Sequence, residues 1–115
     1  HAAGASEAVP PAATEAGESD PFVGPKGDYL IFTRFDAARW QETCDLYMAF
    51  RHKGVWSAAV PLTEINTAGA ADYAATVSPD GRWLYYQSGR VFQRRPFEPV
   101  WRRAREAALR ARPAV

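Results

Sequence analysis

The sequence predicts an all-β fold of short antiparallel strands that ends in a short C-terminal α-helix. Three observations predict it: short apolar runs rich in aromatic and β-branched residues, glycine and proline turn signals between them, and a segment that recurs after 54 positions. A chain of 115 residues, 47% of them hydrophobic, can bury one core. Because no apolar run approaches the roughly 18 residues that a membrane-spanning helix needs, we expect no transmembrane segment.

Composition and charge divide the chain into three segments. Residues 1–17 are rich in alanine and proline and carry acidic residues but no lysine or arginine, which is typical of a linker. Residues 18–93 hold the short apolar runs. Residues 94–115 contain seven arginines against two glutamates and form a basic tail. The net charge of +1 therefore hides an acidic start and a basic end.

The first predicted strands follow the acidic segment. The stretch "DYLIFTRF" (28–35) is rich in residues that strands favour, and "CDLYMAF" (44–50) has the same texture. The stretch "RHKG" (51–54) then supplies a turn that ends in glycine. We expect "VWSAAV" (55–60) to return as the second strand of a hairpin.

A second group of strands surrounds the turn "SPDG" (78–81). Pro79 presets the backbone at the first corner, Asp80 caps the turn through its side chain, and Gly81 accepts a positive φ. The turn therefore predicts a hairpin between its flanking strands. The strands of this group are "YAATV" (73–77), "RWLYYQS" (82–88) and "RVFQR" (90–94).

An internal repeat relates the two groups. A shift of 54 residues lays "ESDPFVGPKGDYLIF" (18–32) over "DYAATVSPDGRWLYY" (72–86). The identities fall on the turn and on the strand after it, where backbone geometry and burial restrict the choice of residue. They are Val23 with Val77, Pro25 with Pro79, Gly27 with Gly81, and Leu30 with Leu84.

Each repeat unit offers about four short strands, which is the content of one β-propeller blade, an antiparallel four-stranded sheet. The run from Trp83 to Tyr86 fits the middle of a blade, because neighbouring blades would bury the side chains on both of its faces. We expect one nearly complete blade at about 18–70 and part of another at about 71–93. An antiparallel sheet with an aromatic outer face is the alternative.

These motifs resemble the TolB-like, WD-repeat-like β-propeller repeats of exported bacterial proteins. The resemblance covers residues 18 to about 93 and rests on "SPDGRWLYYQS", "CDLYMAFRHKGVWSAAVPLTEINT" and "DPFVGPKGDYLIF". In the last of these, Lys26 replaces the turn aspartate, so we expect a looser turn. The resemblance implies a periplasmic or secreted location. It leaves function open, because such propellers serve as binding platforms, as peptidase gates and as enzyme scaffolds.

The predicted blades form an incomplete ring. A blade exposes two apolar faces and two edges, and ring closure over roughly four to eight blades covers them. Fewer than two blades would expose more apolar surface than a monomer tolerates. We therefore expect further propeller blades as partners, either upstream of a C-terminal portion that begins at His1 or in other subunits. A degraded remnant is the remaining interpretation.

The sequence shows no assembled catalytic or metal-binding set. Ser78 lies in a turn without the Gly-x-Ser-x-Gly elbow, and His52 is the only internal histidine. Cys44 is the single cysteine and is interpreted as a packed thiol. We therefore predict no catalytic residues, no enzymatic activity, no cofactor and no metal site. The carboxylates interpreted as solvated or turn-capping are Asp45, Glu64, Asp72 and Asp80.

Trp40, Trp56 and Trp83 are the candidates for a glycan- or peptide-binding platform, since exposed aromatic side chains suit such ligands. Trp56 and Trp83 occupy structural positions of the repeat, which favours core packing for both. Trp40 lies in the polar stretch "DAARWQET" (36–43) and is the one candidate binding residue.

The stretch "PVWRRAREAALRAR" (99–112) predicts a helix, because Pro99 suits a first turn and alanine, leucine and arginine are good helix formers. We expect it to pack on the sheets through Trp101 and Leu109 and to end at Pro113. Its arginines are compatible with nucleic acid. A nucleic-acid partner is nevertheless disfavoured, since the body is neutral and no strand has an RNA-stacking signature. The predicted apolar stripe is Trp101, Ala104, Ala108 and Ala111.

Together these observations predict a non-enzymatic β-propeller interaction scaffold of a bacterial exported or cell-envelope protein, with a protein or a glycan as its ligand. The alternative is the propeller domain of a peptidase-like hydrolase whose catalytic residues lie outside this chain. A third hypothesis is a small stand-alone domain that completes its ring by oligomerising.

Overall fold

The computed structural model describes residues 6–111, and their fold is mainly antiparallel β-sheet with one C-terminal helix, as predicted. One sheet has five strands and the other has three. Within the described part, no helix is long and apolar enough to cross a membrane. The strands are β1 (Gly17–Val23), β2 (Tyr29–Phe35), β3 (Asp45–His52), β4 (Val55–Trp56), β5 (Val60–Pro61), β6 (Asp72–Val77), β7 (Trp83–Ser88) and β8 (Val91–Pro96); the helices are α1 (Trp40–Thr43) and α2 (Phe97–Arg110).

The first sheet has the order β1-β2-β3, and the short strands β4 and β5 both pair with β3. The single strand predicted at 55–60 is thus divided in two. The break begins at Ser57, whose N–H donates to the Phe50 carbonyl (2.7 Å) and whose hydroxyl accepts from the Phe50 N–H (2.9 Å). The second sheet has the order β6-β7-β8, so the hairpin predicted around the SPDG turn is confirmed.

The backbone of β1 and β6 repeats the same irregularity 54 residues apart. Each strand carries a β-bulge, after Ser19 in β1 and after Tyr73 in β6. The residue that follows has a positive φ in both strands, 53° at Asp20 and 58° at Ala74. Since residues other than glycine rarely adopt this conformation, its recurrence shows that the bulge belongs to the repeat unit itself.

The turns that follow β1 and β6 are also equivalent. Gly27 (φ 68°) and Gly81 (φ 77°) hold the left-handed conformation at the same repeat position. In the second turn, Asp80 accepts hydrogen bonds from the Ser78 hydroxyl and the Arg82 N–H. The matched closing bonds, both 2.9 Å, run from the Gly24 N–H to the Tyr29 carbonyl and from the Ser78 N–H to the Trp83 carbonyl.

The two sheets meet through opposite faces of the repeat unit. From β2, Tyr29 and Ile31 enter the shared core, whereas from β7 it is Leu84 and Tyr86 that enter it. Leu84 is the repeat equivalent of Leu30, which is buried on the other face of its own sheet. The two sheets therefore pack through unlike faces of the repeat unit, and not through the same face as symmetric partners would.

The outer face of the first sheet is covered by the segment that precedes β1. On this face Phe32 and Tyr47 stack with ring centroids 5.9 Å apart, and the Arg34 guanidinium lies over both rings. Arg34 also pairs with Glu18 (2.9 Å) and donates to the carbonyl of Pro11 (2.8 Å), which is itself buried. The predicted linker thus contributes packing to the sheet, although its residues 1–5 lie outside the described part.

Helix α2 closes one end of the shared core. Its Trp101 meets Phe50 edge-on, with ring centroids 6.1 Å apart. The prediction that Leu109 packs on the sheets was wrong, because this side chain is 74% exposed. The buried positions are three or four residues apart and end at Ala108, and the next residue points about 100° away. Pro113 lies outside the described residues. The buried helix residues are Phe97, Val100, Ala104 and Ala108.

Candidate functional site

The residues considered for hydrolase chemistry serve other roles or lie apart in the fold. The Ser78 hydroxyl donates to Asp80 (2.5 Å) and accepts from the Trp83 N–H (3.0 Å), so it holds the turn after β6. His52 is exposed at the end of β3, in a different hairpin. No group of three or more His, Cys, Asp or Glu side chains within residues 6–111 could hold a metal ion.

Trp40 is positioned by a compact connection between β2 and β3. The Asp36 carboxylate accepts from the Ala38 N–H (3.0 Å), which caps the first turn of this connection. The Thr43 hydroxyl accepts from the Asp36 N–H (2.9 Å), and the Cys44 N–H donates to the Trp40 carbonyl (3.2 Å). These bonds fix the backbone on both sides of Trp40, whose side chain is 48% exposed.

A cavity of about 240 Å³ opens beside Trp40, between the two sheets. Three aromatic side chains contribute to its wall, from β2, from α1 and from the first residues of β6. Polar groups come mainly from the bulge of β1. The lining residues are Ser19, Asp20, Thr33, Phe35, Trp40, Cys44 and Tyr73.

Thr33 ties the two bulges together at the base of this cavity. Its buried hydroxyl donates to the Asp20 carboxylate (3.4 Å) and accepts from the N–H of Ala74 (3.3 Å). Asp20 and Ala74 are the positive-φ residues of the two bulges. The repeat geometry therefore places one carboxylate, that of Asp20, at the cavity wall, where the second unit has only a methyl group.

The cavity lies in a region of negative charge. Burial raises the pKa of the Cys44 thiol, and the nearby carboxylates of Asp20, Asp45 and Asp72 raise it further. Burial and then Asp72 also raise the pKa of Asp45. Such a thiol stays protonated and is a poor nucleophile. Arg90 does not line this cavity but lines an adjoining depression that shares Trp40 and Tyr73 with it.

Asp72 is the one fully buried acidic residue among those described. One of its carboxylate oxygens accepts from the Thr67 N–H (2.6 Å), and its backbone N–H donates to the Cys44 carbonyl (2.9 Å). Its other oxygen, Oδ1, is buried without a hydrogen-bond partner within residues 6–111. Asp72 therefore holds the connector before β6 through its carboxylate and the Cys44 wall of the cavity through its backbone N–H.

A second candidate surface is the outer face of the β6–β8 sheet. Tyr85 and Phe92 stack there with centroids 5.8 Å apart, and the Arg94 guanidinium lies 3.8 Å from the centre of the Trp83 ring. Phe92 is 66% exposed. We expected both faces of the Trp83-to-Tyr86 run to be buried, but only Leu84 and Tyr86 are, because within residues 6–111 no further sheet covers the outer face. We call this surface, defined by Trp83, Tyr85, Phe92 and Arg94, the open face.

The structure adds partners to Trp40 that the sequence did not single out. Tyr73 is far from Trp40 in sequence and lines the same cavity only because the sheets stack, whereas Phe35 ends β2 just before the connection that carries Trp40. One signal was present: the connection 36–44 has nine residues, whereas its repeat equivalent between β7 and β8 has two. An insertion relative to the repeat is a place where function concentrates. Trp56, predicted to pack in the core, is half-buried.

Comparison with known proteins adds no relative from which a site could be transferred. No protein-family model matches this chain, and neither does any curated protein or solved structure. The two candidate surfaces, the Trp40 cavity and the open face, therefore rest on the geometry described above.

Proposed function

We propose that this chain is a non-enzymatic interaction scaffold made of β-propeller-like units, whose open face accepts a further sheet of the same repeat. The observation that carries the proposal is the stacking of the two sheets through opposite faces. A contact between unlike faces can be repeated by a further copy, and the end of the stack formed by the second sheet is open to one, whereas the segment around Pro11 covers the other end.

The residues of the open face match those that the first sheet already uses for stacking. Trp83 and Tyr85 are the repeat equivalents of Tyr29 and Ile31, which are buried in the core that the first sheet shares with the second sheet and α2. A third sheet that presents a face like that of Leu84 and Tyr86 would cover Trp83 and Tyr85 in the same way. The open face is thus an unfilled position in a series.

The chemistry of the open face also suits a protein partner. Aromatic residues and arginine are enriched in interfaces, since they bury a large area and keep a polar group for the rim. Phe92 on the edge strand β8 is exposed and would be covered by a stacked sheet. The partner sheet would come from the same protein or from another subunit. A periplasmic or secreted location is proposed only on the resemblance to TolB-like repeats.

Hydroxyl-radical footprinting tests this proposal. The natural protein, purified in its native assembly, is compared with the recombinant 115-residue chain at low concentration. We expect Tyr85 and Phe92 to be oxidised several-fold more slowly in the native assembly, with Leu109 on α2 as the internal reference. Equal oxidation rates in the two samples would contradict a covering sheet.

Two matched substitutions sharpen the test. Phe92→Arg places a charge on the open face, whereas Leu109→Arg places one on an equally exposed part of α2. Only Phe92→Arg should release the partner in sedimentation velocity, and circular dichroism should show that both variants stay folded. Loss of the partner from both variants, or from neither, would overturn the assignment of this face.

A further inference from the structure

The Trp40 cavity combines aromatic rings with a carboxylate. Phe35, Trp40 and Tyr73 supply the rings, and Asp20 supplies the carboxylate next to the Thr33 hydroxyl. Each group is held in place: Asp20 by the bulge of β1, Trp40 by the capped connection, and Tyr73 by the start of β6. The site is therefore built by three separate elements rather than by one flexible loop.

The charge at this cavity favours a cation. Among the described residues, none that lines it carries a positive charge, and Asp45 and Asp72 lie near its Cys44 wall. Aromatic ring faces attract cations through their quadrupole, and the guanidinium of arginine and the ammonium of lysine are the usual partners. We propose that this cavity binds the arginine or lysine side chain of a protein partner.

The volume limits the ligand to one side chain. Pockets that enclose drug-sized molecules have about 300–1,000 Å³, and the 240 Å³ cavity is smaller. An arginine side chain fills such a space with its stem against the rings and its guanidinium near Asp20. An oligosaccharide would have to lie across Trp40 outside the cavity, where the carboxylate adds little.

This proposal does not depend on the stacking of a further sheet. The cavity shares no lining residue with the open face, and its Trp40 belongs to the connection that the second repeat unit lacks. A chain that stacks as proposed would still bind no cation if the cavity is inert. Each of the two proposals can therefore be disproved without affecting the other.

The test is an NMR titration of the full 115-residue chain with two blocked pentapeptides. One is Gly-Ser-Arg-Ser-Gly, and the other has the neutral isostere citrulline in place of arginine. The reporter is the indole N–H of Trp40, which is assigned because Trp40→Phe removes it. We expect the arginine peptide to shift this resonance and to bind at least fivefold more tightly than the citrulline peptide. Equal shifts, or no shift with the arginine peptide at millimolar concentration, would overturn the proposal.

A matched pair of charge variants tests whether the Asp20 carboxylate contacts the bound cation. Asp20→Asn removes the charge and keeps a residue that tolerates positive φ, whereas Asp28→Asn removes a charge from the exposed turn after β1. We expect Asp20→Asn to raise the dissociation constant of the arginine peptide about fivefold, which is the effect of one charge contact in water. Asp28→Asn should leave this constant unchanged. Equal effects of the two would contradict the role of Asp20.

Two further variants and a sugar probe distinguish binding in the cavity from binding elsewhere on the chain. Phe92→Ala alters the open face and should leave peptide binding unchanged, whereas Trp40→Ala should abolish it, as read from the backbone amide of Tyr73 because this variant lacks the indole. N-acetylglucosamine serves as the glycan probe and should not shift the Trp40 indole. If the sugar shifts the Trp40 indole resonance and the arginine peptide does not, the cavity binds a saccharide and not a cation, which would overturn the proposal.

Discussion

The two repeat units share their local geometry and differ in what covers them. Both have a bulged first strand, a glycine turn and an aromatic second strand at a spacing of 54 residues. The first unit is covered on both faces, by the second sheet and by the segment around Pro11. Within residues 6–111, the second unit is covered on one face only. Equivalent positions therefore have unequal burial.

This difference shows that the repeat determines the backbone conformation at each position. The segments that cover the sheet determine how much each side chain contributes to the free energy of unfolding. Ile31 is fully buried, whereas its equivalent Tyr85 is half-buried on the open face. The third strands also diverge: β3 continues into the β4 hairpin, and β8 continues directly into α2. In chain order the helix follows β8 where the first unit has its short outer strands, and in the fold it packs on β3 and β5 of the first sheet.

The largest expected contrast is between Ile31→Ala and Tyr85→Ala. Removing the buried Ile31 side chain leaves a cavity and should lower the free energy of unfolding by about 2–5 kcal/mol. Tyr85→Ala removes a half-exposed ring and its stacking on Phe92, and should lower it by about 1 kcal/mol. Urea unfolding of both variants at low protein concentration measures the difference. Equal losses would show that the two units are equally covered in solution.

Arg34→Ala and Arg94→Ala compare the two outer faces. Arg34 stacks on two rings, pairs with Glu18 and binds the Pro11 carbonyl, so its loss should reduce the free energy of unfolding by about 2 kcal/mol. Arg94 lies over Trp83 in solvent, and its loss should change stability by only about 0.5 kcal/mol.

Urea unfolding tests both arginine variants, and limited proteolysis adds a specific readout. Arg34→Ala should expose the segment before β1 to protease, because that segment loses its bond through Pro11. Arg94→Ala should leave the cleavage pattern of the parent chain unchanged. Resistance of the Arg34→Ala segment to cleavage would mean that other contacts hold it on the sheet.

The smallest expected effect compares the two turns. Hydrogen bonds from the Ser78 hydroxyl and the Arg82 N–H lower the pKa of Asp80 below its ordinary value of 3.8, whereas the first turn has Lys26 at this position. Since the folded pKa is lowered, the stabilisation is complete above the ordinary value and disappears as the pH falls through the folded pKa. The Arg82 amide shift should titrate with a midpoint below 3.8, and Asp80→Asn should abolish that titration.

Much of the local structure was predictable, because it depends on neighbouring residues. The turn Pro79-Asp80-Gly81 specifies its own geometry, and the strands around it form the predicted hairpin. Helix α2 was predicted as an element, and Ala104 and Ala108 of its predicted stripe are buried, but the contact assigned to Leu109 was wrong, since this residue points about 100° away from Ala108. Trp40 was found as an exposed residue, but its neighbours Tyr73 and Asp20 were not.

The sequence by itself determined the strands, the turns and the 54-residue repeat, since each follows from residues close together in the chain. Only the tertiary structure decided which face of each strand is buried. A strand alternates its side chains between two faces, but that alternation does not say which face meets which neighbour. The same reason applies to the cavity, whose wall joins β1, α1 and β6. Its residues become one site only when the two sheets stack through unlike faces.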